Sequence, residues 1–194
     1  MFEEDLLIID KKIERVDRTK EIVAFYGSSS LRLWENLEQS LAPLNCINLG
    51  FGGSSIPDCI EQFDRVLVTT NPNHIFLYIG DNDIGNGSKA NEVFTNFQYL
   101  FTKIRERFPS IELTYVSIKP SPSRMLFKSI TEEANRLIKE MIEKEANSSF
   151  LDIYHPMLLE NGDVDASLFI EDELHLNDKG YQLWTKLFRA FLNL

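Results

Sequence analysis

Short apolar runs that alternate with helical patterns are the feature of this sequence that most constrains its fold. Five apolar runs of strand length predict buried strands at Ile22–Tyr26, Cys46–Leu49, Ile75–Ile79, Ile111–Ile118 and Phe150–Ile153. Between them, apolar residues recur every three or four positions, which is the spacing of one buried helix face. The predicted helices are Leu31–Leu41, a helix that opens at Pro57 and runs to Leu67, Val93–Phe108, Thr131–Ala146, and Asp178–Leu192 with Asn177 as its N-cap.

This alternation predicts an α/β protein whose five-stranded parallel sheet is covered by helices on both faces. Because crossovers between parallel strands are right-handed, the predicted architecture is a doubly wound, three-layer α/β/α sandwich. Ligands bind at the carboxyl ends of the strands in such folds. The chain has 194 residues and no repeat or linker composition, so we expect one domain over residues 1–194, with residues 1–20 as an N-terminal extension packed on or near it.

Charge and cysteine content restrict the kinds of partner and the cellular location that we expect for the protein. Thirty acidic against 20 basic residues give a formal net charge of −10, which disfavours binding to nucleic acid and to anionic lipid surfaces. The apolar run at residues 6–9 is too short for a signal peptide or a membrane span. Two cysteines, Cys46 and Cys59, do not make a disulfide framework, and free thiols suit a reducing compartment. We therefore expect a cytoplasmic protein that is not inserted into a membrane.

Residues suited to catalysis follow the first three predicted strands and precede the last helix. They are Gly27-Ser28-Ser29-Ser30, Gly52-Gly53, Gly80-Asp81-Asn82-Asp83 and Asp172-Glu173-Leu174-His175. Each segment alone is also typical of a helix cap, a tight connection or a polar loop. Together they contain the parts that ester cleavage needs, namely a nucleophile, a base, a group that orients the base, and donors for an oxyanion.

A second Asp-x-x-His motif competes with the one that begins at Asp172. Asp152 starts this motif inside a predicted strand, where residues three apart point to opposite faces, and His155 precedes a proline that favours extended backbone. Asp172 and His175 lie in a polar segment where one helical turn brings residues three apart together. We therefore expect Asp172 and His175 to form the pair beside a serine, and His74 and His155 to be structural.

The sequence resembles the SGNH (GDSL-like) hydrolase family, whose four sequence blocks contribute Ser, Gly, Asn and His. The matching segments come in family order at residues 25–31, 48–54, 80–83 and 172–175. The resemblance implies a flavodoxin-like SGNH hydrolase fold and a catalytic triad of Ser29, Asp172 and His175. It also implies an oxyanion hole formed by the backbone N–H groups of Ser29 and Gly53 and the side chain of Asn82.

One position departs from the Gly-Asp-Ser-Leu motif that names the family, since Ser28 stands where the aspartate usually lies. Alignment on Gly27 makes Ser29 the nucleophile and leaves Ser28 and Ser30 as alternatives. The Gly-x-Ser-x-Gly elbow of α/β-hydrolases is absent because Leu31 occupies its last position.

The predicted function is that of a serine esterase that forms an acyl-enzyme, acting on small-molecule esters with short acyl groups such as acetyl esters of sugars or small lipids. A thioesterase or lysophospholipase would use the same triad with a longer apolar acyl pocket. A non-catalytic binding module and a flavodoxin-like nucleotide-binding domain are the alternatives outside this chemistry.

No metal-ligand or P-loop spacing is present, so we expect no cofactor. Arg124, after the fourth predicted strand, is interpreted as a surface residue.

Overall fold

The computed structural model describes residues 2–194, which form one parallel sheet of five strands. The strands are β1 (Ile22–Gly27), β2 (Asn45–Gly50), β3 (His74–Tyr78), β4 (Glu112–Val116) and β5 (Ser148–Leu151). Their order across the sheet is β2-β1-β3-β4-β5, and every neighbouring pair is parallel. The predicted five-stranded parallel sheet is therefore confirmed. Since all strands run the same way, their carboxyl ends lie along a single edge of the sheet.

Helices cover both faces of this sheet, as the alternation of strands and helices predicts. They are α1 (Glu3–Arg15), α2 (Ser29–Arg32), α3 (Leu37–Ser40), α4 (Ile56–Glu61), α5 (Asp81–Gly85), α6 (Ala90–Arg107), α7 (Lys128–Ile142) and α8 (Asp178–Leu192). Successive side chains of β1 enter different apolar clusters: Ala24 and Tyr26 pack with α1, α4, α6 and α7, whereas Val23 and Phe25 pack with α2, α3 and α8. This period of two is what a strand buried on both faces requires, and the three-layer prediction is confirmed.

The predicted helix Leu31–Leu41 is instead two short helices, α2 and α3. The reason lies in β2, where the side-chain amide of Asn48 donates to the carbonyl oxygens of Leu31 at 2.6 Å and Trp34 at 3.3 Å. These bonds satisfy carbonyl groups that a continuous helix would use for its own backbone ladder. The buried indole of Trp34 meanwhile packs against the α8 rings of Trp184 and Phe188.

Helix α1 lies within the N-terminal extension, for which the sequence analysis predicts no helix. Its buried residues, Leu6, Ile9 and Ile13, recur three and four positions apart and join the apolar cluster on one sheet face. This spacing is the ordinary sequence signal of an amphipathic helix. No helix within residues 2–194 is both long and apolar enough to cross a membrane.

Candidate active site

Ser29 begins α2 immediately after the carboxyl end of β1. The turn requires a glycine at position 27, because a Cβ atom there would lie 1.8 Å from the carbonyl oxygen of Tyr78 and φ is +149°. This close contact brings β1 and β3 together below the serine. The side chains of Ser28 and Ser30 are buried, with 2% exposure each, whereas Ser29 is partly exposed. Of the three neighbouring serines, Ser29 is thus the most accessible to a substrate.

His175 lies between Ser29 and Asp172 and contacts both. Its Nε2 atom is 3.1 Å from the Ser29 Oγ atom, and its Nδ1 atom is 2.6 Å from Asp172 Oδ2. The other carboxylate oxygen of Asp172 accepts from the backbone N–H groups of Leu174 and His175, each at 2.9 Å. The structure therefore brings together Ser29, Asp172 and His175. The helical turn expected between Asp172 and His175 is wrong, however, because Glu173 has a left-handed φ of +57° and the segment is a non-helical turn.

The pKa of Asp172 is lowered to about 2. Partial burial acts in the opposite direction, but it is outweighed by the hydrogen bonds from the backbone and the ring of His175 and from the backbone of Leu174. Asp172 is consequently ionised at neutral pH and can only accept hydrogen bonds. The Nδ1 atom of His175 must then carry a proton, which leaves Nε2 of the neutral ring free to accept one from Ser29.

The second Asp-x-x-His motif also forms a pair, so the prediction that its two side chains point apart is wrong. Asp152 Oδ2 lies 2.6 Å from His155 Nδ1, and its other oxygen accepts from the backbone N–H groups of Tyr154 and His155. The reason is that β5 ends at Leu151, which places Asp152 at the start of a turn and outside the strand. The His155 side chain is 77% exposed, and Ser29 contacts His175 instead.

The loop of residues 51–55, between β2 and α4, carries the glycine that the resemblance assigns to the oxyanion hole. Gly53 has a φ of +75°, a left-handed conformation that side chains other than hydrogen disfavour. Within residues 2–194, no protein acceptor pairs with the backbone N–H groups of Gly53 or Ser29. Asn82, the second residue of α5, donates from Nδ2 to the carbonyl oxygen of Ser54 at 2.9 Å. The three candidate donors thus come from the ends of β1, β2 and β3.

Arg124 belongs to a charged cluster beside Asn82, and its interpretation as a surface residue is wrong. Its side chain is 17% exposed, pairs with both the carboxylate and the backbone carbonyl of Asp81, and donates to Asn82 Oδ1 at 3.2 Å. Lys119, fully buried, donates to the other carboxylate oxygen of Asp81 at 2.8 Å. Burial opposes the charged form of Asp81, but the two cations together hold its pKa below the ordinary value.

The position of this cluster along the sheet provides the sequence signal that identifies it. Lys119 and Arg124 follow β4, whose carboxyl end lies beside that of β3, where Asp81 and Asn82 are found. Lys119 comes three residues after the end of β4 and Asp81 three residues after the end of β3, so a basic and an acidic residue reach the same edge of the sheet and can pair. Arg124 fixes the oxygen end of the Asn82 amide, which leaves the NH₂ end on the opposite side.

Asp83 joins α5 to α4 from a buried position. Its two carboxylate oxygens accept from the backbone N–H of Ile56 at 3.1 and 3.2 Å. Burial raises the pKa of Asp83 to about 6, although the bond from Ile56 acts in the opposite direction. The carboxyl group therefore ties two neighbouring helices of the site together.

An open groove of about 1180 Å³ adjoins the His175 side of the site. Its lining is mixed, with the apolar side chains of Leu33, Ile170 and Leu176 beside polar ones that include Glu35, Asn36, Ser167, Gln182 and Thr185. Amides and hydroxyls of this kind hydrogen-bond to polar parts of a ligand. Within residues 2–194, no group of three or more His, Cys, Asp or Glu side chains is arranged to hold a metal ion.

Known structures share this fold over nearly the whole chain. A Streptococcus pneumonia protein described in relation to platelet activating factor is 21% identical, with a TM-score of 0.83 over 98% of this chain and 92% of that one. A GDSL-like lipase from Bacteroides thetaiotaomicron is 16% identical, with a TM-score of 0.78 over 97% of each chain. An acetyl xylan esterase is 18% identical, with a TM-score of 0.70 over 87% of this chain and 98% of that one.

Sequence comparison with protein families extends this likeness beyond the fold. No curated protein sequence matches the chain significantly. The model of the GDSL-like lipase/acylhydrolase family, however, matches residues 21–183, which include all four sequence blocks. Because the match spans most of the chain, this protein belongs to the GDSL-like lipase/acylhydrolase family.

Proposed function

We propose that this protein is a serine esterase that cleaves carboxylic esters through an acyl-enzyme, with Ser29 as the nucleophile. The observation that carries the proposal is the 3.1 Å contact between Ser29 Oγ and His175 Nε2, with Asp172 2.6 Å from the opposite nitrogen of the ring. A hydroxyl beside a base, which is itself oriented by a carboxylate, is the arrangement that activates a serine. Membership of a hydrolase family supports the same chemistry.

In the first half of the reaction, Ser29 Oγ attacks the ester carbonyl carbon while His175 Nε2 takes its proton. The tetrahedral intermediate then collapses, the bond to the alcohol oxygen breaks, and the protonated His175 gives the proton to the departing alcohol. Asp172 remains a carboxylate throughout and stabilises the imidazolium. Its pKa of about 2 keeps it in that form over the whole physiological range.

In the second half, a water molecule attacks the acyl-enzyme while the same His175 nitrogen accepts its proton. The second tetrahedral intermediate releases the carboxylic acid and returns the proton to Ser29 Oγ. In both intermediates, the negative oxygen accepts hydrogen bonds from the N–H groups of Ser29 and Gly53 and from Asn82 Nδ2. One such donor contributes about 3 kcal/mol to stabilising the transition state.

The substrates we propose are esters of short acyl groups, such as acetyl, on a polar alcohol. The hydroxyl and amide side chains in the groove beside His175 suit an alcohol part that carries hydroxyl groups, and an acetyl xylan esterase is among the proteins with this fold. A thioesterase or lysophospholipase remains the alternative with the same triad. A graded series of p-nitrophenyl esters distinguishes them, since a maximum of kcat/KM at acetate supports a short acyl group.

We also propose that residues 1–194 act as one domain located in the cytoplasm. Helix α1 shares its apolar cluster with α4, α6 and α7, which favours a single folding unit. Cys46 and Cys59 are both free thiols, which suits a reducing compartment.

Labelling with a fluorophosphonate probe tests the proposed chemistry without a guess about the natural substrate. We expect one adduct, on Ser29, that is absent from Ser29→Ala and from His175→Ala. Ser30→Ala is the matched control, because it removes an adjacent buried hydroxyl and should leave labelling intact. An adduct on Ser28 or Ser30 would assign the nucleophile to another serine. Folded wild-type protein that is neither labelled nor active on p-nitrophenyl acetate would favour the non-catalytic binding module.

A further inference from the structure

We infer that Asp5 of helix α1 is a positioning residue for the oxyanion hole, an inference that rests on the proposed esterase function. Its carboxylate contacts both the 51–55 loop, which carries Gly53, and α2, which begins with Ser29. Asp5 lies outside residues 21–183, the part of the chain that the family model matches. The N-terminal extension would thus supply part of the support for the active site.

The contact with the loop is a short hydrogen bond from the residue next to Gly53. The backbone N–H of Gly52 donates to Asp5 Oδ2 at 2.7 Å. Such a bond fixes the peptide between Phe51 and Gly52, so the next peptide, whose N–H belongs to Gly53, can reorient only by rotation about the φ and ψ of Gly52. An oxyanion donor has to be held within about 0.5 Å and 10–20° of its productive geometry.

The contact with the nucleophile's helix involves the same carboxylate oxygen. Arg32, the last residue of α2, has its Nε atom 3.6 Å from Asp5 Oδ2. One carboxylate therefore links the loop of Gly53 to the short helix that begins with Ser29. The backbone N–H groups of Gly53 and Ser29 are the two main-chain donors of the proposed oxyanion hole. The positive charge of Arg32 also partly neutralises the negative charge of Asp5 beside the loop that carries Gly53.

Helix α1 is itself firmly attached at this place. Lys12 donates from Nζ to the carbonyl oxygen of Asn48 at 3.1 Å, and the ring of Phe2 packs edge-on against Phe51 at 5.2 Å between centroids. Leu6 and Ile9 are buried on the same helix. Because α1 is anchored on both sides of Asp5, its carboxylate is a fixed acceptor for the Gly52 N–H.

A role in positioning explains this contact better than a role in stability. The Asp5 and Arg32 side chains are 24% and 42% exposed, and ion pairs with such exposure contribute little to the free energy of folding. What the Asp5 carboxylate adds is a geometric constraint on Gly52, whose N–H has no other acceptor within residues 2–194.

Steady-state kinetics of matched α1 variants on p-nitrophenyl acetate test the inference. We expect Asp5→Ala to lower kcat about tenfold with KM changed less than about twofold, because an oxyanion donor acts in the transition state. Asp5→Asn keeps an oxygen acceptor for the Gly52 N–H and should recover most of kcat. Asp10→Ala is the control: it removes another α1 ion pair, with Arg65 at 2.7 Å, that does not touch the loop, and should keep the wild-type kcat.

The outcomes separate this inference from the proposed function. Equal losses of kcat in Asp5→Ala and Asp10→Ala, or none in either, would overturn the positioning role of Asp5 while leaving the esterase intact. If Asp5→Ala does not fold, Asp5→Asn takes its place. An Asp5→Asn protein whose Gly52 amide exchanges faster but whose kcat equals that of wild type would also overturn the positioning role of Asp5. If wild-type protein has no esterase activity, the proposed function fails, and hydrogen exchange still decides the structural claim. The Gly52 amide should exchange at least about tenfold faster in Asp5→Ala than in Asp10→Ala.

Discussion

The two Asp-x-x-His turns in this chain share their side-chain contacts but not their backbone, since only the Asp172 turn has a left-handed residue, Glu173 with a φ of +57°. In both, one carboxylate oxygen lies 2.6 Å from Nδ1 of the histidine, and the other accepts from the backbone N–H groups two and three residues later. The two turns differ at the other ring nitrogen, because Nε2 of His175 contacts the Ser29 hydroxyl. A local motif thus builds the Asp–His pair, and only its surroundings make it suitable for catalysis.

The two histidines allow a matched test at the scale of single residues. We expect His175→Ala to lower kcat/KM on p-nitrophenyl acetate by at least about 10³-fold, since the serine loses its base. His155→Ala removes the same kind of ring, also paired with an aspartate, and should stay within about twofold of wild type. A comparable loss in both variants would mean that the Asp152 pair takes part in the reaction or that the assay reports folding.

At the scale of elements, the start of α8 connects helix capping to the position of the catalytic loop. Asn177 Oδ1 accepts from the backbone N–H groups of Lys179 and Gly180, which confirms the predicted N-cap. Its amide nitrogen also donates to the carbonyl oxygens of Ser167 at 2.9 Å and Phe169 at 2.8 Å. The residue that begins the helix therefore also holds the loop that leads to His175.

We expect Asn177→Ala to lower the free energy of unfolding by about 2 kcal/mol, because it removes a cap and two loop bonds. Asn177→Ser keeps a capping oxygen but is too short to donate to the loop, so it should recover about half of that loss. Urea denaturation of the three proteins measures the difference. Equal stability of the serine and alanine variants would show that the cap itself contributes nothing.

At the scale of the whole molecule, one acidic and one basic side chain, Asp83 and His74, make the free energy of unfolding depend on pH. Burial raises the pKa of Asp83 from 3.8 to about 6 and lowers that of His74 from 6.5 to about 4. The stability that protonated Asp83 contributes is present below about pH 4 and is lost as pH rises to about 6. The stability that neutral His74 contributes is present above about pH 6.5 and is lost as pH falls to about 4.

Single substitutions should separate these opposing effects. Relative to Asp83→Asn, the wild-type protein should lose up to about 3 kcal/mol of unfolding free energy between pH 4 and pH 6.5. Relative to His74→Gln, it should gain stability over the same interval. Thermal or urea unfolding at several pH values measures both differences. A difference between wild type and Asp83→Asn that does not change with pH would contradict the raised pKa of Asp83.

The features that can be predicted from the sequence depend on interactions between residues close together in the chain. Apolar periodicity identified the five strands and the long helices α6, α7 and α8, because burial imposes a spacing of two on strands and about 3.6 on helices. The Asp172–His175 turn is local in the same sense. Parallel strand ends share one edge, so the sequence alone predicts that Ser29, Gly53 and Asn82 lie near each other.

Contacts between residues far apart in the chain are seen only in the tertiary structure. It set Asp5 against Gly52 across 47 positions of sequence. It also divided the predicted Leu31–Leu41 helix through the amide of Asn48, and it brought His175, but not His155, to Ser29. Such contacts join residues that share no periodicity, and their free energy depends on the relative placement of whole helices and strands. No local pattern in the chain encodes that placement.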